Sequence, residues 1–109
     1  MAFEYTKQPW EEEIVAVDFS RRVPSGTTIT AYSVVLEETV ALAGLIAANY
    51  SPHIVIGTPS LIGTVGRERI LAVMVSAGVA GFKYRLSYRI TLSDTQKKED
   101  DVWIIVKET

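Results

Sequence analysis

Between Phe82 and Leu92 apolar and polar residues alternate without a break: Phe82, Tyr84, Leu86, Tyr88, Ile90 and Leu92 against Lys83, Arg85, Ser87, Arg89 and Thr91. Successive side chains of a β-strand point to opposite faces, so an extended segment sorts this stretch into one apolar face and one basic face. The spacing predicts a strand laid on a core, and it raises the question of what three cations on its other side are for.

Period-two patterns recur along the chain. EEEIVAVDF (11–19) sets Val15, Val17 and Phe19 opposite Ile14, Ala16 and Asp18, and reads as a half-buried strand. It ends at SRRVPSG, where Pro24, Ser25 and Gly26 predict a chain reversal and a hairpin into TTITAYSVVLE (27–37), a strand rich in β-branched residues. HIVIGT (53–58) reads as a short strand. ERILAVMVSA (68–77) is apolar on both faces and belongs in the middle of something. Gly78 and Gly81 then turn the chain into the alternating segment, and SDTQKKED (93–100) reads as a polar loop before a last strand, DVWIIVKE (101–108). AFEYTKQ, with Pro9 after it, looks like a first strand broken where the chain passes from one sheet to another, because proline cannot donate to a ladder. The segment 36–51 is ambiguous: Ala, Leu and Glu favour one short helix around 38–48, but Gly44 weakens a helix interior by about 1 kcal/mol, leaving an irregular strand and loop as the alternative. About seven short strands with regular turn signals predict an all-β antiparallel sandwich or barrel.

The 109 residues, 48 % of them apolar, suit a single domain over 1–109. Eleven Lys and Arg against thirteen Asp and Glu give a net charge of −2, without the basic excess of a dedicated nucleic-acid binder. There is no cysteine, which excludes disulfides, thiolate metal sites and thiol nucleophiles and suits a reducing cytoplasm. The acidic N-terminal stretch does not read as an export signal, and the longest apolar run, 40–48, is far short of the roughly 20 residues a spanning helix needs. A soluble protein without membrane contact is expected.

No catalytic signature stands out. His53 is the only histidine, and no spacing pairs it with a particular acid among Asp18, Asp94, Asp100 and Asp101. GTVGRE (63–68) lacks the Lys-Ser/Thr pair and the following helix of a phosphate loop. Asp94, Glu99, Asp100 and Asp101 share their loop with Lys97 and Lys98, without the regular alternation of calcium ligands. Glu11, Glu12 and Glu13 cannot all face one way on a strand. No enzyme activity, cofactor or metal is expected. The basic face has two readings. Pairing with Glu11, Glu13, Asp101 or Glu108 across neighbouring strands would make it ordinary surface; alternatively Lys83, Arg85 and Arg89 form part of an intersubunit contact, since arginine is enriched at interfaces. Trp10 and Trp103 are anchors of either core or interface. Stacking aromatics are missing from the exposed face, so direct nucleic-acid contact is not expected.

Three segments taken together, KQPWEEEIVAVDFSRRVPSGTTIT (7–30), VSAGVAGFKYRLSYRITLSD (75–94) and the closing 101–109, resemble short bacteriophage and prophage virion-associated proteins. The matching features are an acidic strand ending in Asp18-Phe19, a turn at Pro24-Ser25-Gly26, an approach through Gly78, Gly81 and Tyr84 to a long strand, and a final strand closing on Val106. The resemblance implies an immunoglobulin-like β-sandwich without enzymatic activity, folded in the host bacterial cytoplasm and built into the virion at the head, the head-tail junction or the tail. It further implies a homo-oligomer or docking to other phage structural proteins, with Lys83, Arg85, Arg89, Trp10 and Trp103 as candidate interface residues. The rival expectation is a monomeric immunoglobulin-like binding module that recognises a carbohydrate or a protein through its end loops, 20–26, 57–67 and 93–100.

Overall fold

The alternating segment becomes a central strand, and the rest of the chain is arranged around its apolar face. The computed structural model describes residues 2–41, 54–64 and 67–107, which form eight strands and no helix. These are β1 (Ala2–Lys7), β2 (Glu13–Asp18), β3 (Ile29–Ala41), β4 (Ile54–Ile56), β5 (Ser60–Thr64), β6 (Arg67–Ala77), β7 (Phe82–Leu92) and β8 (Lys97–Val106). One sheet has the order β1-β8-β7-β3; the other has β2-β6-β4, with β5 also paired to β6. Every pairing is antiparallel except that of the first and last strands, β1 and β8, which run parallel. The result is an all-β sandwich, in which each sheet hides one face against the other.

The core follows the sequence period. Phe82, Tyr84, Leu86, Tyr88, Ile90 and Leu92 of β7 are all buried, together with Val102, Ile104 and Val106 of β8. From the second sheet come Val15 and Val17 of β2, Leu71, Val73 and Val75 of β6, and Ile54 of β4. Burying a large apolar side chain is worth roughly 1.5–3 kcal/mol, so six of them on one strand make β7 the main contributor.

The chain crosses between sheets where β1 gives way to β2, and Pro9 sits in that crossing, as its missing N–H requires. The turn at Pro24–Gly26 is also present: Thr27 N donates to Pro24 O at 3.1 Å and Gly26 has φ +88°. It does not make a hairpin, because β2 pairs with β6 and β3 with β7 in the opposite sheet. A local turn fixes a change of direction; which strand the chain then joins is decided by partners far away in sequence.

Three further boundaries differ from expectation. Residues 38–41 continue β3 rather than starting a helix, since Glu38, Thr39, Val40 and Ala41 are held in register with Arg85, Tyr84, Lys83 and Phe82. A full cross-strand ladder outweighs helix propensities of a few tenths of a kcal/mol per residue; the remainder of 38–48 lies outside the described residues. The loop after β7 is confined to 93–96, as Lys97 already pairs with Thr91. Within 57–67, expected to be an end loop, Ser60–Thr64 forms β5.

Candidate docking surface

On β7 the residues between the buried ones face outward, away from the second sheet. Lys83, Arg85 and Arg89 thus share one surface, and the register with β8 places Ile105, Trp103 and Glu99 opposite them. Each cation meets a partner supplied by a neighbouring strand. Arg85 reaches Glu38 on one side (Nε to Oε1, 3.3 Å) and Asp101 on the other (Nη1 to Oδ2, 3.2 Å). Arg89 bridges Glu99 (Nε to Oε1, 3.3 Å) and Glu37. The register shift between Leu36 and Glu38 lets both consecutive glutamates of β3 reach arginines of the same strand. Lys83 Nζ lies 4.5 Å from the centroid of the Trp103 ring, a cation–π contact. Beneath this layer Ser87, fully buried, donates to Asp101 Oδ1 at 3.0 Å.

The face that is basic along one strand is therefore a charge mosaic in the sheet. Four carboxylates, Glu37, Glu38, Glu99 and Asp101, surround the two guanidinium groups. The paired side chains keep 28–50 % of their surface exposed, so solvent and salt screen each bridge and its contribution to stability is small. The network orders the surface more than it stabilises the fold. Of the four acids expected to pair with it, Asp101 does so. Glu11 instead accepts from Gln8 N at 2.6 Å, Glu13 belongs to the other sheet, and Glu108 lies outside the described residues. Beside Arg89 the surface dips into an open depression of about 490 Å³, bordered by Ala31, Ser33, Thr91, Lys97 and Glu99.

The five candidate interface residues do not form one site. Lys83, Arg85, Arg89 and Trp103 stand together, with Trp103 half-buried beneath Lys83. Trp10 sits apart in the β1–β2 crossing, 93 % exposed, beside Glu11–Glu13 and next to Ser76 and Ala77 of β6. At the opposite end of the sandwich the 19–28 connection and the 93–96 turn are locked together. Ser93 N donates to Thr28 O at 2.8 Å, Arg69 Nη2 to Thr27 O at 2.7 Å, and Arg22 bridges Asp100 at 3.0 Å.

Sequence reasoning missed a second surface. The outward face of the second sheet exposes Ile14, Val55, Ile62 and Met74, although its central strand β6 has its other face in the core. The signal was present in ERILAVMVSA, apolar on both sides, which had been expected to lie covered on both.

Among the described residues no group of three or more His, Cys, Asp or Glu is placed to hold a metal ion. Asp94 accepts from Gln96 N, and Glu99, Asp100 and Asp101 each meet an arginine. His53 lies outside the described residues. Chain 63–64 and 67–68 runs from strand to strand, so no helix N-terminus follows Gly63 for a phosphate.

Curated proteins offer no match to the chain. A family model does match, over residues 7–105, from the end of β1 almost to the end of β8, and so spans both outer faces and nearly all of the core. Its description is podophage GP4 fiber-tail adaptor protein gp77, and the chain belongs to that family of phage tail structural proteins.

Proposed function

We propose that the chain is a non-enzymatic virion protein that joins other tail components through the outer face of its first sheet. The observation that carries this reading is the fixed pattern of charge around Arg85 and Arg89, held on both sides by partners from β3 and β8 and opening on the depression beside Arg89. Complementary charge sets register and rate of encounter more than affinity, which suits a joint that must assemble in one orientation. Copies of the chain associate, or dock to another virion protein, through this face, after folding in the host cytoplasm; nucleic acid has no part in the contact. The sandwich is of immunoglobulin-like type. Supporting this, β3, β7 and β8 lie in the order of strands C, F and G, and β2, β6 and β4 in that of B, E and D. Tyr84, near the start of the F-like strand, accepts at its hydroxyl from Val79 N at 2.9 Å, in the manner of a tyrosine corner.

The test is native mass by size-exclusion chromatography with light scattering, at low and high salt, for the chain alone and mixed with tail and fiber proteins of the same phage. A defined oligomer or complex that loosens with salt is expected, and Arg85→Glu should weaken it while leaving the far-ultraviolet circular dichroism unchanged. An Arg85→Glu protein that associates like the parent would remove this face from the contact.

A further inference from the structure

A protein that joins two components needs two separate surfaces, and the second sheet offers one of a different character. Its outward positions are Ile14 and Ala16 on β2, Ile70, Ala72 and Met74 on β6, Val55 on β4, and Ser60 and Ile62 on β5. Ile14 is 65 % exposed, Ile62 47 % and Met74 40 %, and these three border one depression; Val55, 48 % exposed, lies beyond Met74 on β4, opposite Ser76. Between them the surface dips by about 200 Å³ along Thr58, Ser60 and Ala72. Isolated exposed apolar residues are ordinary, but a connected patch on a regular sheet marks an interaction surface.

The border of the patch identifies what it fits. Glu12 stands next to Ile14 at one end, with Glu11 and the exposed Trp10 in the adjoining depression, and Asp18 stands toward the other. The nearby Lys7 turns inward, its ammonium bonded to Ala77 O at 2.6 Å, and Arg21 lies by Asp18. None of the outward positions of β2, β4, β5 or β6 just named is a lysine or arginine. A second copy applied face to face would set carboxylate against carboxylate. A second copy offering its first sheet would bring Glu37, Glu38, Glu99 and Asp101 of its charge mosaic toward these carboxylates. We infer that the outer face of the β2-β6-β4/β5 sheet docks a different polypeptide, one presenting an apolar patch bordered by lysine or arginine, with Trp10 and Ile14 as the anchors nearest the acidic border. Exposed aromatic and aliphatic anchors of this kind carry most of the energy of a protein contact, and the acidic border selects the partner. This rests on the adaptor reading only in placing the partner within the tail.

The absence of native cysteine allows a direct test. Ile14→Cys and Ile62→Cys, each exposed and away from the core, are introduced singly into the chain and checked for fold by circular dichroism; Met74→Cys replaces either that fails. Maleimide labelling is then compared between the isolated chain and the assembled tail, and the tail is treated with carbodiimide to join carboxylates to lysines in contact. The expected result is full labelling in isolation, loss of labelling in the tail, and cross-links from Glu11–Glu13 to lysines of another polypeptide. Labelling that persists in the tail, protection already present in the isolated chain, or cross-links that reach only further copies of this chain would each overturn the inference. Recovery of the chain in the tail reports separately on the adaptor reading, whatever the labelling pattern.

Discussion

Tyr88 carries a hydroxyl into the middle of the core and donates it to Val15 O at 2.8 Å, so one side chain of β7 ties the first sheet to the backbone of the second. Its position inside was legible from the alternation, but its partner, 73 residues away, was not. Removing the hydroxyl leaves a buried carbonyl without its donor, so Tyr88→Phe should lower stability by about 1–3 kcal/mol, read as a shift of the urea midpoint at unchanged slope. An unchanged midpoint would mean that the bond is replaced. Lys7 shows the reverse case: no pattern marks it as interior, yet it is buried and donates to Ala77 O and Gln8 O at 2.6 and 2.7 Å. Its four-carbon stem adds to the packing at the end of β1, and its ammonium joins the carbonyl of the first residue after β1 to that of the last residue of β6.

Among the elements, β7 and the turns around it were the most legible. Gly78 is read as a turn residue from sequence, and in the fold it holds φ +94° while an added Cβ would meet Val106 Cγ2 at 2.9 Å. Gly78→Ala should therefore cost about 1–3 kcal/mol, from strain at positive φ and displacement of the last core residue of β8, as measured by thermal or urea unfolding. Gly26, at φ +88° with nothing within 4 Å of its Cβ position, should suffer only the backbone part of that cost. β3 was legible only to Glu37, because the helix-favouring residues after it are overruled by pairing with β7. β5 was not legible at all. Its ladder with β6 exists only once β6 has been placed, and a short segment containing Gly63 reads as turn when taken alone.

For the molecule as a whole, the buried tyrosines make stability depend on alkaline pH. Burial raises the ionisation of Tyr84 and, far more, of Tyr88 above the ordinary value of 10.0. The unfolded chain then loses these protons first, so the stability they protect is intact below about pH 10 and falls as pH rises through and beyond it. Lys7 acts in the opposite sense: burial lowers its value below 10.5, the folded state binds fewer protons, and stability gains slightly as pH approaches that point. Above it only the tyrosine effect remains. Urea midpoints should thus drop above pH 10, and Tyr88→Phe should flatten that drop while starting from a lower value; a parallel decline in both proteins would assign it elsewhere.

Sequence by itself determined the all-β class, the apolar face of β7, the crossing at Pro9 and the absence of a thiol or phosphate-loop motif. These depend on period-two patterning, on proline and glycine chemistry and on composition, all of which are local. Which strands become neighbours was decided only by the tertiary structure, and the character of both outer faces follows from that choice. Lys83, Arg85 and Arg89 look basic along their own strand, but β3 and β8 bring Glu37, Glu38, Glu99 and Asp101 beside the arginines and turn the face into a mosaic. The second apolar side of β6 looks like buried core in sequence and is left open in the fold, because the sandwich has only two layers and β6 lies in one of them. Charge and exposure belong to a surface assembled from several strands, and no single strand contains that information.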